Sequence, residues 1–303
     1  MWGSDMSDVQ VHGKASILIA EECDRGKVRK ENQDTVLHAS IALGELLIVA
    51  DGIGGYTGGA TASRLAVDAF YEHLSALPRD YAPENAMIEA AGHANANINA
   101  AAKEPGTPNA RMGTTVVVAL VQQDIDGTHA WVGHIGDSRA YLFRAGRLHR
   151  LTIDHSAVQS LLDRNLITPE EARHHPDASV LSRSLGHHAT VEIDIEQHPL
   201  AVGDTLLLCS DGLWGFVAET EIQKTAADLA LPLEIAAHNL LGLALAAGGR
   251  DNIGIEMARI VTPPVAAQPR NQFPLALKVV WAMFLLGLIG LGILTYLTFF
   301  YNR

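Results

Sequence analysis

The sequence predicts a layered α+β domain followed by one membrane-spanning helix, and three observations carry that expectation. Segments rich in β-branched and aliphatic residues repeatedly follow one another with only turn residues between them. Helical periodicity is bunched between blocks of such segments, which fits a regular βαβ alternation poorly. Near the C-terminus, residues 279–301 contain no charged side chain.

Taken in order, strands are expected at 15–20, 35–41, 46–50, 114–121, 129–135, 140–144, 190–195, 205–209 and 253–260, each apolar and bounded by turn signals. Helices are expected at 61–77, 83–102, 157–164, 219–230 and 232–247, where apolar residues recur at helical spacing. With 303 residues and 48% apolar side chains, the chain can bury a large core. Internal repeats, low-complexity tracts and a GxxxxGK[ST] phosphate loop are absent from the sequence.

The stretch 262–274 holds Pro263, Pro264, Pro269 and Pro274 and reads as an extended linker, so the chain divides into a domain over 1–262, a linker over 263–278 and an anchor over 279–301. In the anchor, 22 residues (279–300) rising about 1.5 Å each span roughly 33 Å, enough for a hydrocarbon layer of about 30 Å. Gly287, Gly290 and Gly292 lack GxxxG spacing, so no helix dimer is expected. The start, Met1-Trp2-Gly3-Ser4-Asp5-Met6, has neither the basic residues nor the apolar run of a signal peptide. Arg270 and Lys278 precede the anchor and only Arg303 follows it, which places the domain on the cytoplasmic side of a single-pass inner-membrane protein.

Charge and cysteine content exclude other classes. The net charge is −12, with no basic face for phosphate backbones, so no nucleic-acid partner is expected. Cys23 and Cys209 are the only cysteines, too few for a disulfide scaffold or a cysteine-rich zinc site, and they suit a reducing compartment. The 14 histidines show no zinc-ligand spacing and are expected at the surface or in a flap.

The aspartates carry the chemistry. Asp51 follows Leu46-Leu47-Ile48-Val49-Ala50, and Asp211 follows Leu206-Leu207-Leu208-Cys209-Ser210; each ends a buried-looking strand and precedes glycine. Asp137 ends another apolar run, while Asp34 and Asp251 open two more. One such residue alone reads as an Asx turn. If five converge, each pair of bare carboxylates about 4 Å apart repels by about 4 kcal/mol at an effective dielectric near 20, so the group requires cations or protons. Oxygen-only ligands favour Mg²⁺ or Mn²⁺. The adjoining glycines leave room for a backbone carbonyl to approach an ion.

These residues stand in an ordered series: Arg29-Lys30-Glu31-Asn32-Gln33-Asp34, Asp51-Gly52-Ile53-Gly54-Gly55, Gly113-Thr114-Thr115, Gly136-Asp137-Ser138-Arg139, Ser210-Asp211-Gly212 and Asp251-Asn252-Ile253. The series resembles the motifs of the metal-dependent protein phosphatases of type 2C in their bacterial form, over about residues 10–261. Lesser matches are Gly59-Ala60-Thr61-Ala62-Ser63, Asp154-His155-Ser156 at the start of a flap, and Ser182-Arg183-Ser184-Leu185-Gly186 at its end.

The resemblance implies a four-layer α-β-β-α sandwich, two antiparallel sheets face to face with helices outside, and a binuclear metal centre at one edge. It implies Asp34, Asp51, Asp211 and Asp251 as metal ligands and Gly52 as the donor of a backbone carbonyl. Asp137 would share a third, weaker cation with Asp211, and Arg29 would clamp the phosphate. The activity implied is hydrolysis of phosphoserine and phosphothreonine in proteins by a water activated between two Mg²⁺ or Mn²⁺ ions. Its expected partners are phosphorylated proteins, such as a Ser/Thr kinase or its substrates. Arg29 suits its role because a planar fork engages two phosphate oxygens, although a solvated loop arginine is the plainer alternative.

Two positions depart from the eukaryotic pattern: Ile53 stands where many members have a histidine, which leaves the general acid unassigned, and Gln33 replaces a glutamate. Two other functions stay open on the sequence, a scaffold that binds phosphoproteins without cleaving them and a metal-dependent hydrolase of a small phosphoester. The five intact aspartates speak against the first; the motifs are silent on the second.

Overall fold

The computed structural model describes residues 15–54, 58–104, 112–168, 171–172, 175–262 and 301. The strands are β1 (Ser16–Asp24), β2 (Asp34–Ile41), β3 (Gly44–Ile53), β4 (Gly113–Thr114), β5 (Val116–Gln123), β6 (Thr128–Ile135), β7 (Arg139–Arg144), β8 (Arg147–Arg150), β9 (Asp194–Leu200), β10 (Thr205–Cys209) and β11 (Ile253–Val261). The helices are α1 (Gly58–Ser75), α2 (Pro83–Ala101), α3 (Ala157–Asp163), α4 (Asp211–Trp214), α5 (Glu219–Ala227) and α6 (Leu233–Ala246). One sheet runs β1-β11-β10-β7-β8 and the other β2-β3-β5-β6-β9, with β4 paired to β3 beside it; every pairing is antiparallel.

Strand periodicity sorts the side chains into layers. In β3, Leu47 and Val49 face the other sheet while Leu46, Ile48 and Ala50 face α1 and α2. In β10, Leu206 and Leu208 point between the sheets, and Leu207 and Cys209 toward α4, α5 and α6. Strands buried on both faces cannot alternate polar with apolar residues, which is why the middles of β3, β5 and β10 read as continuous apolar runs. The order is helices, sheet, sheet, helices, as the sandwich expectation requires.

The structure corrects several element boundaries. The strand expected at 190–195 is Asp194–Leu200. Its sequence, Asp-Ile-Glu-Gln-His-Pro-Leu, belongs to an exposed edge strand, where polar residues and Pro199 are tolerated. Strand β8 carries no strand signal in the sequence because Arg147-Leu148-His149-Arg150 is polar; the hairpin turn at Ala145 and Gly146, both at positive φ, generates it. The run expected at 114–121 breaks at Thr115, which leaves the ladder to bond Asp51.

Among the described residues, no helix is long and apolar enough to cross a membrane. The anchor expected at 279–301 lies outside them except for Tyr301, as does the linker at 263–278. The chain separates into two compact units, Met1–Thr262 and Pro263–Arg303.

Candidate active site

Strand register brings the acids together from both sheets. Asp34 and Asp51 are direct cross-strand partners where the β2–β3 ladder ends. Across the sandwich, Arg139 pairs with Cys209, so Asp137 and Asp211 sit two residues beyond the same end of the β7–β10 ladder. Asp251 lies two residues before Ile253, the first residue of β11, which is the neighbour of β10. The glycine after Asp211 is obligatory, because a Cβ there would lie 1.8 Å from the Asn252 carbonyl oxygen. Gly212 thereby lets the Asp211 and Asp251 turns touch.

The electrostatics are those of carboxylates confined without enough positive charge. Burial raises the affinity of Asp51 for a proton well above the ordinary carboxylate range, and repulsion from Asp34, Asp211, Asp137 and Asp251 adds to it. Burial, then the neighbouring acids, pushes Asp34 up to about 7, Asp137 to about 8 and Asp211 to about 6. Asp34 Oδ1 and Asp211 Oδ1 are buried with no donor on them. The Asp51 carboxyl can serve either acid only when a proton sits between the two. Orphaned, hard oxygen donors of this kind fit divalent cations. Gly59 also leaves room over the Gly52 carbonyl, since a Cβ there would come within 2.7 Å of that oxygen.

Arg29 is at the rim, half exposed, with Nη2 2.6 Å from Asp251 Oδ2. It lies close enough to Asp211 and Asp51 for their charge to act on it. The structure therefore brings Arg29, Asp34, Asp51, Gly52, Asp137, Asp211 and Asp251 to one edge of the sandwich.

Four neighbours with no role in the sequence reading hold these groups. Ser210 donates from Oγ to Asp34 Oδ2 at 2.6 Å and accepts from the Gly254 N–H. Thr115 accepts the Asp51 N–H on Oγ1 and bonds Ser138 Oγ at 2.7 Å, while Thr114 Oγ1 donates to the Asp51 carbonyl. Asn252 binds the loop that carries Arg29 at three points, donating to the Arg25 and Glu31 carbonyls and accepting from the Gln33 N–H. Each adjoins a motif aspartate or threonine, which was the available signal; its partner, distant in sequence, was not readable.

The histidine expectation fails at His134, which lies buried in β6. His134 and His155 are buried and stacked, with ring centroids 4.5 Å apart, and their nitrogens lie near an Asp194 oxygen. This group is hydrogen-bonded internally. His155 Nδ1 accepts from the Gly136 N–H, so Nε2 carries the hydrogen and donates to Asp194, while His134 Nε2 donates to the Ile153 carbonyl.

Comparison with known proteins agrees with this geometry. The sequence model described as protein phosphatase 2C matches residues 26–236. The chain is 39% identical over 247 residues to the serine/threonine protein phosphatase PstP of Mycobacterium tuberculosis, covering 80% of this chain and 45% of that protein. It thus spans about half the length of that relative. It is 35% identical over 237 residues to the serine/threonine phosphatase stp of Listeria monocytogenes, covering 77% of this chain and 91% of the other. Among solved structures, the Mycobacterium tuberculosis phosphatase PstP/Ppp superposes with a TM-score of 0.72 at 35% identity, over 81% of this chain and 99% of that one. The PstP catalytic domain in complex with two manganese ions gives 0.71 at 34% identity, over 82% and 100%. The family match over most of the catalytic unit, together with acids placed at one edge of a four-layer sandwich, shows that the chain belongs to the protein phosphatase 2C family.

Proposed function

We propose that the chain is a Mg²⁺- or Mn²⁺-dependent protein phosphatase that cleaves phosphoserine and phosphothreonine. Support comes above all from one observation: five carboxylates from different strand ends share one edge, with buried oxygens that lack donors. Asp34, Asp51, Asp211 and Asp251, with the Gly52 carbonyl, would hold a pair of cations, and Asp137 with Asp211 a third. When bound, such a centre supplies a water activated at neutral pH and polarises the phosphoryl oxygens.

The chain's own residues do the rest. Asp51 is fixed at both its N–H and its carbonyl by Thr115 and Thr114, so its carboxylate is presented in one orientation. Ser210 orients Asp34 in the same way. Arg29, tethered through Asn252, offers the guanidinium N–H groups not engaged by Asp251 to the phosphate and offsets its charge. Ile53 offers no proton to the leaving alkoxide, so that proton comes from solvent within the site.

The apolar run at 279–301, preceded by Arg270 and Lys278, supports a phosphatase held at the inner membrane with its catalytic domain in the cytoplasm. Its substrates there would be phosphorylated proteins, including a Ser/Thr kinase or the targets of one. The test is hydrolysis of a phosphothreonine peptide and of p-nitrophenyl phosphate with and without MnCl₂. Cation-dependent release of phosphate from the peptide is expected. Turnover in excess chelator, or cleavage of the small ester alone, would overturn the reading.

A further inference from the structure

Arg139 is a heavily engaged, largely covered cation near the acids, and the mechanism above does not use it. Its backbone opens β7 two residues after Asp137 and pairs with Cys209, two residues before Asp211. Its guanidinium lies 3.4 Å over the centre of the Trp214 ring, at the far end of the four-residue helix that Asp211 begins. The remaining edges of the plane are occupied. Nε and Nη2 grip Asp154 at 3.0 and 2.7 Å, Nη1 donates to the Tyr141 hydroxyl at 3.1 Å, and Glu219 stands 3.8 Å away. Asp154 is in turn held by Arg150, which bonds its Oδ1 at 2.6 Å and the Thr152 carbonyl at 2.7 Å.

This is a planar cation locked on its edges and covered on a face, an arrangement a lysine cannot reproduce. One side chain thus joins the segment bearing Asp137 to the turn bearing Asp211. Those two carboxylates lie past the end of the β7–β10 ladder, where no strand hydrogen bonds fix their separation.

We propose that Arg139, stacked on Trp214 and clamped by Asp154, is a positioning residue that sets the spacing of Asp137 and Asp211 for cation binding. It touches neither substrate nor cation. This inference rests on the metal-centre reading given above.

The test measures Mn²⁺ binding to the cation-free protein by calorimetry and by the loss of the free-Mn²⁺ resonance, alongside kcat and KM for p-nitrophenyl phosphate. Arg139→Lys and Trp214→Leu are expected to weaken Mn²⁺ binding by about 10- to 100-fold, the usual loss when a group that orients a metal ligand is removed. Trp214→Phe, which keeps an aromatic face, is expected to restore most of that affinity. KM at saturating Mn²⁺ should stay within about twofold, because Arg29 and the phosphate site are untouched. Trp214 is only partly buried, so its variants keep the test open should Arg139→Lys fold poorly. If folded Trp214→Leu binds Mn²⁺ like the wild type, or if Trp214→Phe is no better than Trp214→Leu, the positioning role is wrong. Wild-type protein that binds no Mn²⁺ would instead remove the metal-centre reading itself.

Discussion

Asp34 and Asp51 face each other as cross-strand partners at the last rung of the β2–β3 ladder, a buried and a half-buried acid where a sheet ordinarily ends in turn residues. Like charges placed directly opposite destabilise an antiparallel pair. On the proposed function, bound cations offset this repulsion, and the following outcomes are expected.

Replacing Asp51 or Asp211 by Asn should leave the protein folded and abolish cation-dependent hydrolysis. Asp137→Ala should lower the rate and leave Mn²⁺ binding at the remaining ligands. Removing one acid relieves part of the burial and repulsion that raise these carboxyls, so the cation-free variants should melt above the cation-free wild type. Adding Mn²⁺ should raise the melting temperature of wild type and not of Asp51→Asn. Full activity of either Asn variant would refute the ligand assignment.

Arg29→Lys should keep the charge and lose the fork. A charge-assisted hydrogen bond is worth about 1.5–3 kcal/mol, so kcat/KM for a phosphopeptide should fall roughly 10- to 150-fold. An unchanged kcat/KM would make Arg29 a loop arginine paired with Asp251 and nothing more.

Asn252→Ala should act on the same step from a distance. It strips partners from the Arg25 and Glu31 carbonyls and the Gln33 N–H, and each lost hydrogen bond of this kind costs about 0.5–1.5 kcal/mol. The loop carrying Arg29 then loosens, so KM should rise more than kcat falls, with a lower melting temperature. Steady-state kinetics and a thermal melt together check both.

Glu256 predicts a pH dependence unrelated to catalysis. It lies fully buried on β11, opposite Glu21 of β1. Burial pushes its carboxyl up to about 9, and repulsion from Glu21 adds to the shift. The folded value lies above that of an unfolded glutamate, so folding takes up a proton between the two. Stability is greatest below about pH 4.5 and falls as pH climbs toward 9, with a cost on the order of 3 kcal/mol near neutrality. Glu256→Gln, which mimics the neutral acid, should therefore melt several degrees higher at pH 8 and equal the wild type at pH 4.5. An equal gain at both values would assign the effect to packing.

A chain ending at Thr262 should be soluble and hydrolyse p-nitrophenyl phosphate as the full chain does, since all the matched motifs precede that point. The full chain should sediment with membranes and resist salt and alkaline carbonate, as a spanning helix does. Release of the full chain by salt alone would remove the anchor.

The sequence by itself determined which strands are buried on both faces, because Leu46-Leu47-Ile48-Val49-Ala50 and Leu206-Leu207-Leu208-Cys209 are apolar at every position. It also determined that each ends in an aspartate beside glycine, and the motif order made the family legible. Tertiary structure alone decided what those acids face. Asp34 meets Asp51 through the β2–β3 register, and Asp137 meets Asp211 through the pairing of Arg139 with Cys209, a contact between residues 70 positions apart in the chain. The same holds for the groups that fix the site. Ser210 reaches Asp34 across the sandwich, Asn252 reaches Arg25, Glu31 and Gln33, and Arg139 reaches Trp214, each over a long stretch of chain. Local sequence encodes propensity and burial because these act within a few residues. A hydrogen bond or stacking contact between strand ends depends on how whole sheets pack, and no short window of sequence contains that information. Strand β9 illustrates the limit from the other side: its polar residues carry no burial signal, and only the open edge of β6 gives it a partner.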